Sequence, residues 1–293
     1  MIRRILLTGA SGLIGAELFP RLSAAGYEVI PVSRTPASLP GHRRCDLADR
    51  RQADELMRSA PDAIIHLAGG QRAEPLALYR DNVLTTVHLL EAAADLATPP
   101  YCVVFGSAAE YGGGERPVTE SADLRPISDY GRAKVAQTAL ARAIAQQRSL
   151  PLTVLRPFNV VSPRLPAGTA LGNIRDQLRR QSGDRRAVRC GRLDVVRDYV
   201  PVAAVAEAVM RLLATPTPGV FNVCSGKGLE LSAIVNAMAR RLGAELAIEV
   251  DPELAALPAP PAAIGDPAAL RAAIGLVIEA TPESVSAVVL SES

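Results

Sequence analysis

Tyr130 and Lys134 stand four residues apart in Ser128-Asp129-Tyr130-Gly131-Arg132-Ala133-Lys134, at the head of an alanine-rich, proline-free run from Asp129 to Gln147 that reads as a helix. Residues four apart share a helix face, so phenol and ammonium project into the same space. A neighbouring ammonium favours the phenolate, which would draw a tyrosine pKa of about 10 towards that of a working general acid/base. Such a pair needs a redox-active group beside it, and the first fifteen residues have the pattern to hold one. Ile5-Leu6-Leu7 reads as a strand, and Ala16 to Ala25 as a helix ending at Gly26. Between them lies Thr8-Gly9-Ala10-Ser11-Gly12-Leu13-Ile14-Gly15. Strand, glycine-rich turn and helix form a phosphate cradle. Gly9 allows the turn, Gly12 admits a pyrophosphate close to the backbone, and Gly15 lets the helix pack on the strand; Ser11, Leu13 and Ile14 complete the loop. The spacing is Gly-x-x-Gly-x-x-Gly, and a purely structural turn is the bland alternative; its place after the first strand favours the dinucleotide.

The second strand, Glu28-Val29-Ile30-Pro31-Val32, ends at Ser33-Arg34. An NAD site usually has a carboxylate there for the ribose 2′-hydroxyl, whereas an arginine suits a 2′-phosphate. Ser33 and Arg34, with Arg43 and Arg44 adding to the positive field, favour NADP(H) over NAD(H), against the reading of Arg34 as a solvated surface residue.

Downstream, Asp62–Ala68, Tyr101–Phe105 and Leu152–Arg156 read as strands. Tyr79 to Ala94 reads as a helix with Val83, Val87, Leu90 and Ala94 on one face. This alternation predicts an α/β chain: a Rossmann-type doubly wound parallel sheet, with ligands gathered at the carboxyl ends of its strands. Beyond Phe158 the pattern loosens. A strand returns at Val220–Val223, helices are expected over Leu231–Leu242 and Pro267–Ile274, and the Ala/Pro-rich stretch Leu254–Pro261 reads as a loop. The expected organisation is a dinucleotide-binding domain over 1–158 and a smaller, mainly substrate-binding α/β region over 159–293, with some chain returning to the Rossmann core. With 293 residues, 48% hydrophobic, 21% charged and a net charge of +2, the composition is that of an ordinary globular protein. It gives no electrostatic case for nucleic-acid or membrane partners. Cys45, Cys102, Cys190 and Cys224 are scattered without metal-like spacing, which suits reduced packing residues in a cytoplasmic protein; no metal site is expected. The N-terminus runs directly into the first strand, leaving no room for a signal peptide, and no apolar run reaches membrane-spanning length.

The ordered series of motifs resembles the extended short-chain dehydrogenases/reductases of nucleotide-sugar metabolism over nearly the whole chain. It comprises the Thr8–Gly15 loop, Cys45-Asp46-Leu47, His66-Leu67-Ala68-Gly69, Asp81-Asn82-Val83 and Gly106-Ser107-Ala108-Ala109-Glu110-Tyr111-Gly112. It continues through Tyr130–Lys134, Arg156-Pro157-Phe158-Asn159-Val160, Val196-Arg197-Asp198-Tyr199-Val200 and Phe221–Gly226. The resemblance implies roles. Tyr130 would exchange a proton with a sugar carbonyl or hydroxyl, Lys134 would lower its pKa and bind the nicotinamide ribose, and Ser107 would hold the reacting oxygen. Asp46 and Leu47 would lie by the adenine, Leu67, Ala68 and Gly69 along the cofactor's middle, and Pro157 near the nicotinamide. Asn159, Asn173 and Arg197 would hold the nucleotide diphosphate. The family often forms homodimers by packing two helices per subunit.

Departures from sister enzymes narrow the reaction. Where 4,6-dehydratases carry an Asp-Glu pair after the Ser107 position, this chain has Ala108 and Ala109, which removes the acid/base pair for loss of water. A site for NADP(H) suits net reduction, since that cofactor enters reduced and leaves oxidised. The reading is therefore a ketoreductase acting on a nucleotide-linked 4-keto-6-deoxysugar. The alternatives are an NAD-dependent nucleotide-sugar epimerase and a non-catalytic NADP(H)-sensing protein on the same fold. The basic run Arg179, Arg180, Arg185, Arg186, Arg189 and Arg192 reads first as a solvated face and second as a diphosphate attractor. His66 reads as a strand-end packing residue, and His42 and His88 have no evident partners.

Overall fold

In a computed structural model describing residues 2–71, 74–114, 116–257 and 259–292, the N-terminal strands form all but one edge of a seven-stranded parallel sheet. They are β1 (Arg4–Thr8), β2 (Glu28–Ser33), β3 (Arg43–Arg44), β4 (Ala63–His66), β5 (Tyr101–Phe105) and β6 (Leu152–Pro157). The sheet runs Gly219–Val223, β6, β5, β4, β1, β2, β3. Ile5, Leu6 and Leu7 are wholly buried because β1 is covered on both faces and paired on both edges, Leu6 opposite Ile30 and Ile64. That is why these strands read as continuous apolar runs. The strand order reverses between β1 and β4, which opens a crevice at their carboxyl ends.

Helices α1 (Gly15–Ala24), α2 (Arg50–Met57), α3 (Pro75–Tyr79), α4 (Thr85–Ala94) and α5 (Asp129–Arg148) cover the sheet together with Val202–Ala214. The helix expected over Tyr79–Ala94 instead begins at Pro75 and contains a π turn over Arg80–Leu84. The extra residue of such a turn rotates the downstream side chains by about 100° around the helix axis. Of the expected apolar face only Leu90 is fully buried; the inward face carries Asn82, Thr86, Leu89 and Ala93. Helix α5 starts at Ser128, whose Oγ accepts the Gly131 N–H at 3.1 Å. Gly131 lies so close to the 108–110 turn that a Cβ would sit 2.6 Å from the Ala109 carbonyl oxygen. That approach is what brings the head of α5 to the end of β5.

The chain from Asn159 onward forms a third core around Ile174, Leu178, Ile234, Met238 and Val285. Its strands are short: Asn159–Val161 pairs with Tyr199–Pro201, and Arg185–Cys190 with Glu245–Val250. Gly219–Val223 rejoins the main sheet beside β6. Helices form over Leu231–Leu242 and Ala268–Ile274 as expected, while the segment expected as a loop begins inside a short helix, Pro252–Ala255, capped by Asp251. Pro258 lies outside the described residues. No helix among the described residues is long and apolar enough to cross a membrane.

Candidate active site

The glycine-rich turn meets the crevice where the sheet reverses. Gly9 has φ +66°, and a Cβ there would fall 2.8 Å from Leu67 C and Ala68 N; a Cβ on Gly15 would fall 2.4 Å from Gly9 O. Helix α1 opens without a side-chain cap; the Ala16 N–H bonds the Gly12 carbonyl and the Glu17 N–H the Ile14 carbonyl, which among the described residues leaves the N–H groups of Leu13, Ile14 and Gly15 for an anion. Leu67, Ala68 and Gly69 follow β4 directly; Leu67 and Ala68 lie against this turn, and Gly69 lies against Asn82, whose Oδ1 would be 2.5 Å from a Cβ there. Asn82, lifted inward by the π turn, donates to the carbonyls of Gly70 and Leu78 at 2.9 Å each. Its Oδ1 is the buried side-chain acceptor without a partner among the described residues. Backbone donors at a helix start, a floor that excludes side chains and an unused acceptor at the crevice fit a dinucleotide.

At the far end of this cradle a cavity of about 350 Å³ is lined by Arg34, Arg44, Asp46 and Gln52. Arg34 pairs with Asp81 at 2.8 Å, Arg80 bridges Asp81 and Asp46, and Arg44 donates to the Arg34 carbonyl at 3.1 Å. Ser33 does not join them. Its Oγ donates to Thr35 O at 2.7 Å and shares a 2.7 Å hydrogen bond with His42 Nε2, so the hydroxyl is spent within its own loop. His42 therefore has a partner, as does His88, which bonds the Leu47 carbonyl at 3.1 Å.

Ser107, Tyr130 and Lys134 come together at the end of β5. Ser107 caps the 108–110 turn: its Oγ accepts the Ala109 N–H at 3.1 Å, which leaves the hydroxyl proton free for another acceptor. Its own N–H donates to Glu110 Oε1 at 2.9 Å. Lys134 is buried, and its Nζ donates to the Phe105 carbonyl and to Gln137 Oε1, both at 2.8 Å. The ammonium lies 5.8 Å from the centre of the Tyr130 ring. Burial brings the lysine down to about 8, with Glu110 opposing that shift. Tyr130 does not follow the expected direction. Burial raises its phenol, Ser107 and Gln71 lower it in part, and Lys134 is occupied by Phe105 and Gln137.

Behind Ser107 lies a buried ion pair that the sequence patterns did not bring out. Glu110, fully buried, takes Arg156 Nε at 2.9 Å and Nη2 at 2.8 Å on one oxygen, and Ser107 N–H and Thr138 Oγ1 on the other. Arg156 reaches on to Tyr111 OH at 2.8 Å, which donates to Asn222 Oδ1 at 2.7 Å. Burial raises the Glu110 carboxyl while Arg156 and the N–H donors lower it.

His66 is 1% exposed and bonded on both ring nitrogens, to Thr8 Oγ1 at 2.8 Å and Thr86 Oγ1 at 2.9 Å. Burial, and secondarily Lys134, push it down to about 3. The unfolded chain takes up this proton below pH 6.5 and the folded chain does not until about 3, so stability falls as pH drops through that window. One such group contributes at most about 1.4 kcal/mol per pH unit. Denaturant titrations from pH 7 to 4 should show a shallower acid loss in His66→Gln, by about one proton at the steepest point; parallel slopes would contradict a neutral buried His66.

The expected substrate ligands sit in the smaller region. Asn159 Nδ2 donates to the Asp198 carbonyl at 3.1 Å, Asn173 lies in the first turn of Ala170–Arg179, and Arg197 Nη1 donates to the Val196 carbonyl at 2.8 Å. Pro157 ends β6. Asp198, buried, accepts from Ser225 N–H and Oγ and from Gly226 N–H, fixing the loop after Gly219–Val223 next to Arg197. The basic run is largely spent on partners: Arg185 on Glu245, Arg189 on Asp251, Arg192 on Asp194, and Arg179 on the carbonyls of Leu290 and Ser291. It is a largely solvated face on which Arg185, Arg189 and Arg192 meet carboxylates. The four cysteines are buried and unbridged.

Comparison with known proteins agrees with this architecture. Residues 5–224 match the model of the NAD dependent epimerase/dehydratase family. A GDP-6-deoxy-D-mannose reductase of Pseudomonas aeruginosa is 30% identical over 86% of this chain and 84% of its own. A dTDP-6-deoxy-L-talose 4-dehydrogenase (NAD(P)(+)) of Kitasatospora kifunensis is 30% identical over 88% and 83%. The structure of RMD from Pseudomonas aeruginosa complexed with NADPH superposes with a TM-score of 0.85 at 26% identity, covering 99% of this chain and 97% of that one.

Proposed function

The chain belongs to the NAD dependent epimerase/dehydratase family, and within it we propose that it uses NADPH to reduce the C4 keto group of a nucleotide-diphosphate-linked 4-keto-6-deoxyhexose. The observation that carries this reading is the pair of guanidinium groups, Arg34 and Arg44, around the cavity beyond β2. A 2′-phosphate is the anion that such a fork of donors suits, and NADP(H) in turn suits net reduction. The relatives whose names describe a 6-deoxysugar reductase and a 4-dehydrogenase support the same chemistry.

The reduced nicotinamide, when bound, supplies the hydride. The Ser107 hydroxyl, oriented by Ala109 N–H, donates to the carbonyl oxygen, and Tyr130 delivers the proton that the resulting alkoxide takes up. Lys134, held at the Phe105 carbonyl, keeps positive charge beside the phenol as that proton leaves. Ala108 and Ala109 leave the turn without a carboxylate for elimination. Asn159, Asn173 and Arg197 receive the nucleotide diphosphate, with Pro157 and Leu67–Gly69 bordering the cofactor. The acting species is read as a cytoplasmic homodimer; the outward-facing Leu76, Leu84 and Leu140 around α3, the π turn and α5 support a helix-face contact.

A second reading, an NAD-dependent epimerase, draws on the carboxylates in the same neighbourhood: Asp46 lines the cavity and Asp81 holds Arg34. Titration with NADPH and NADH separates the two. Arg34→Ala is expected to weaken NADPH binding about 10- to 100-fold, the effect of a lost charge-assisted hydrogen bond, and to leave NADH binding unchanged. Equal affinity for both cofactors in the wild type would favour the epimerase.

A further inference from the structure

A seam of buried polar side chains runs beneath the site, from the cofactor cradle to the lysine. Thr8, His66, Thr86 and Gln137 are each no more than 1% exposed. The Ala68 N–H donates to Thr8 Oγ1 at 3.2 Å, and Thr8 Oγ1 meets His66 Nδ1 at 2.8 Å. His66 Nε2 meets Thr86 Oγ1 at 2.9 Å. Gln137 Nε2 donates to Thr86 Oγ1 at 3.0 Å, and Lys134 Nζ donates to Gln137 Oε1 at 2.8 Å.

The protons that link the seam each have one place to go. An ammonium has only donors, so the Gln137 oxygen must face Lys134 and its amide nitrogen Thr86. The single Thr86 hydroxyl proton goes to the Asn82 carbonyl, 2.6 Å away. His66 Nε2 must therefore carry its hydrogen and donate to Thr86. Nδ1 is then a lone pair that takes the Thr8 proton, leaving Thr8 Oγ1 to accept the Ala68 N–H. A protonated His66 would strand the Thr8 hydroxyl proton. A buried network of this kind is costly when partly satisfied and rigid when complete.

We propose that His66, Thr86 and Gln137 are positioning residues that fix the Lys134 ammonium and tie its placement to the backbone at Ala68, on the floor of the cofactor cradle. The proposal rests on the reading of Tyr130 and Lys134 as the acid/base pair. Lys134 sits on a flexible four-carbon stem whose freedom must be removed to hold one geometry; two of its three hydrogens are fixed, at Phe105 and Gln137. The other groups facing it are Glu110, whose charge favours the ammonium, the Tyr130 ring and the neutral His66.

The test is Thr86→Val, which keeps the shape and removes the hydroxyl, alongside Thr86→Ser and Gln137→Met. Turnover, KM for NADPH, the pH profile of kcat and thermal stability are measured with NADPH and a nucleotide-linked 4-keto-6-deoxyhexose. Thr86→Val and Gln137→Met should lower kcat about tenfold or more, as for a lost hydrogen bond to a charged group. They should also move the alkaline limb of the profile to lower pH, because the ammonium loses support, and Thr86→Ser should restore both. Variants that melt earlier with kcat and the limb unchanged would reduce the seam to a structural role and overturn the proposal. ¹⁵N-histidine NMR of the wild type gives a second decision independent of folding of the variants. A neutral Nε2–H ring from pH 5 to 8 whose signal shifts on adding NADPH is expected; an Nδ1–H ring, or no response to NADPH, contradicts the proposal. Tyr130→Phe, run in parallel, separates the two readings: full activity there removes the acid/base pair itself, and the NMR result then decides the seam alone.

Discussion

Tyr130→Phe is expected to turn over its substrate about 10²–10⁴-fold more slowly than the wild type, the contribution typical of a positioned proton donor, with NADPH affinity close to unchanged. The phenol is half-buried beside Ser107, whose hydroxyl holds the reacting oxygen in this reading, and Ala108 and Ala109 carry no proton to replace it. Glu110 is committed to Arg156, Thr138 and the Ser107 N–H, and Lys134 to Phe105 and Gln137. The ring itself remains in Phe, so α5 keeps its packing and the change isolates the oxygen. The loss should appear in kcat more than in KM for NADPH, because the cradle of Gly9, Ala68 and the start of α1 is untouched. Turnover within about threefold of the wild type would remove Tyr130 from the mechanism.

Glu110→Ala is expected to cost about 3–5 kcal/mol of folding stability, the penalty for leaving one member of a buried ion pair unpaired. Arg156 is 2% exposed and would keep its charge with no carboxylate to meet it. The Ser107 N–H and Thr138 would also lose their shared acceptor. A Cβ on Gly106 would fall 2.4 Å from Glu110 Oε1, so the carboxylate occupies space that only a glycine there leaves open. The double variant Glu110→Ala, Arg156→Met should recover much of the loss, because the stranded charge goes with its partner. Denaturant titration of the three proteins measures this. A single variant within about 1 kcal/mol of the wild type, or a double variant less stable than the single, would show that the pair does not act as a unit. Since Glu110 also caps the turn bearing Ser107, activity should fall with stability in the single variant.

The strands that build the site were legible because they are buried on both faces: Ile5–Leu7, Tyr101–Phe105 and Leu152–Arg156 leave largely apolar runs. Tyr130 and Lys134 were legible through helical spacing. The same spacing continues to Gln137 and Thr138 on the inward face of α5, a signal present in the sequence and unused because glutamine and threonine look like surface residues. The polar seam escaped for the same reason, and Thr86 was further obscured by the π turn, which moves the inward face away from the apolar stripe Val83, Val87 and Ala94. The smaller region was read least well. Arg185–Cys190 and Glu245–Val250 pair as a parallel ladder that sets Arg185 opposite Glu245 and Arg189 opposite Glu249, and the ladder is largely exposed, so it left no continuous apolar run of the kind that marks the central strands. The helix Pro282–Leu290 carried a local signal, Thr281 as cap followed by Pro282, in a segment too short and small-residued to stand out by periodicity. The tyrosine shift ran opposite to expectation because sequence spacing places an ammonium on the right face without saying which carbonyl it will bind.

The central claim is net reduction, and the most direct measurement follows NADPH absorbance while the purified protein acts on a nucleotide-linked 4-keto-6-deoxyhexose, with the sugar product analysed in the same sample. One NADPH oxidised for each keto group lost is the expected result. Conversion between sugar isomers with no net oxidation of NADPH would contradict the account and establish the epimerase in its place.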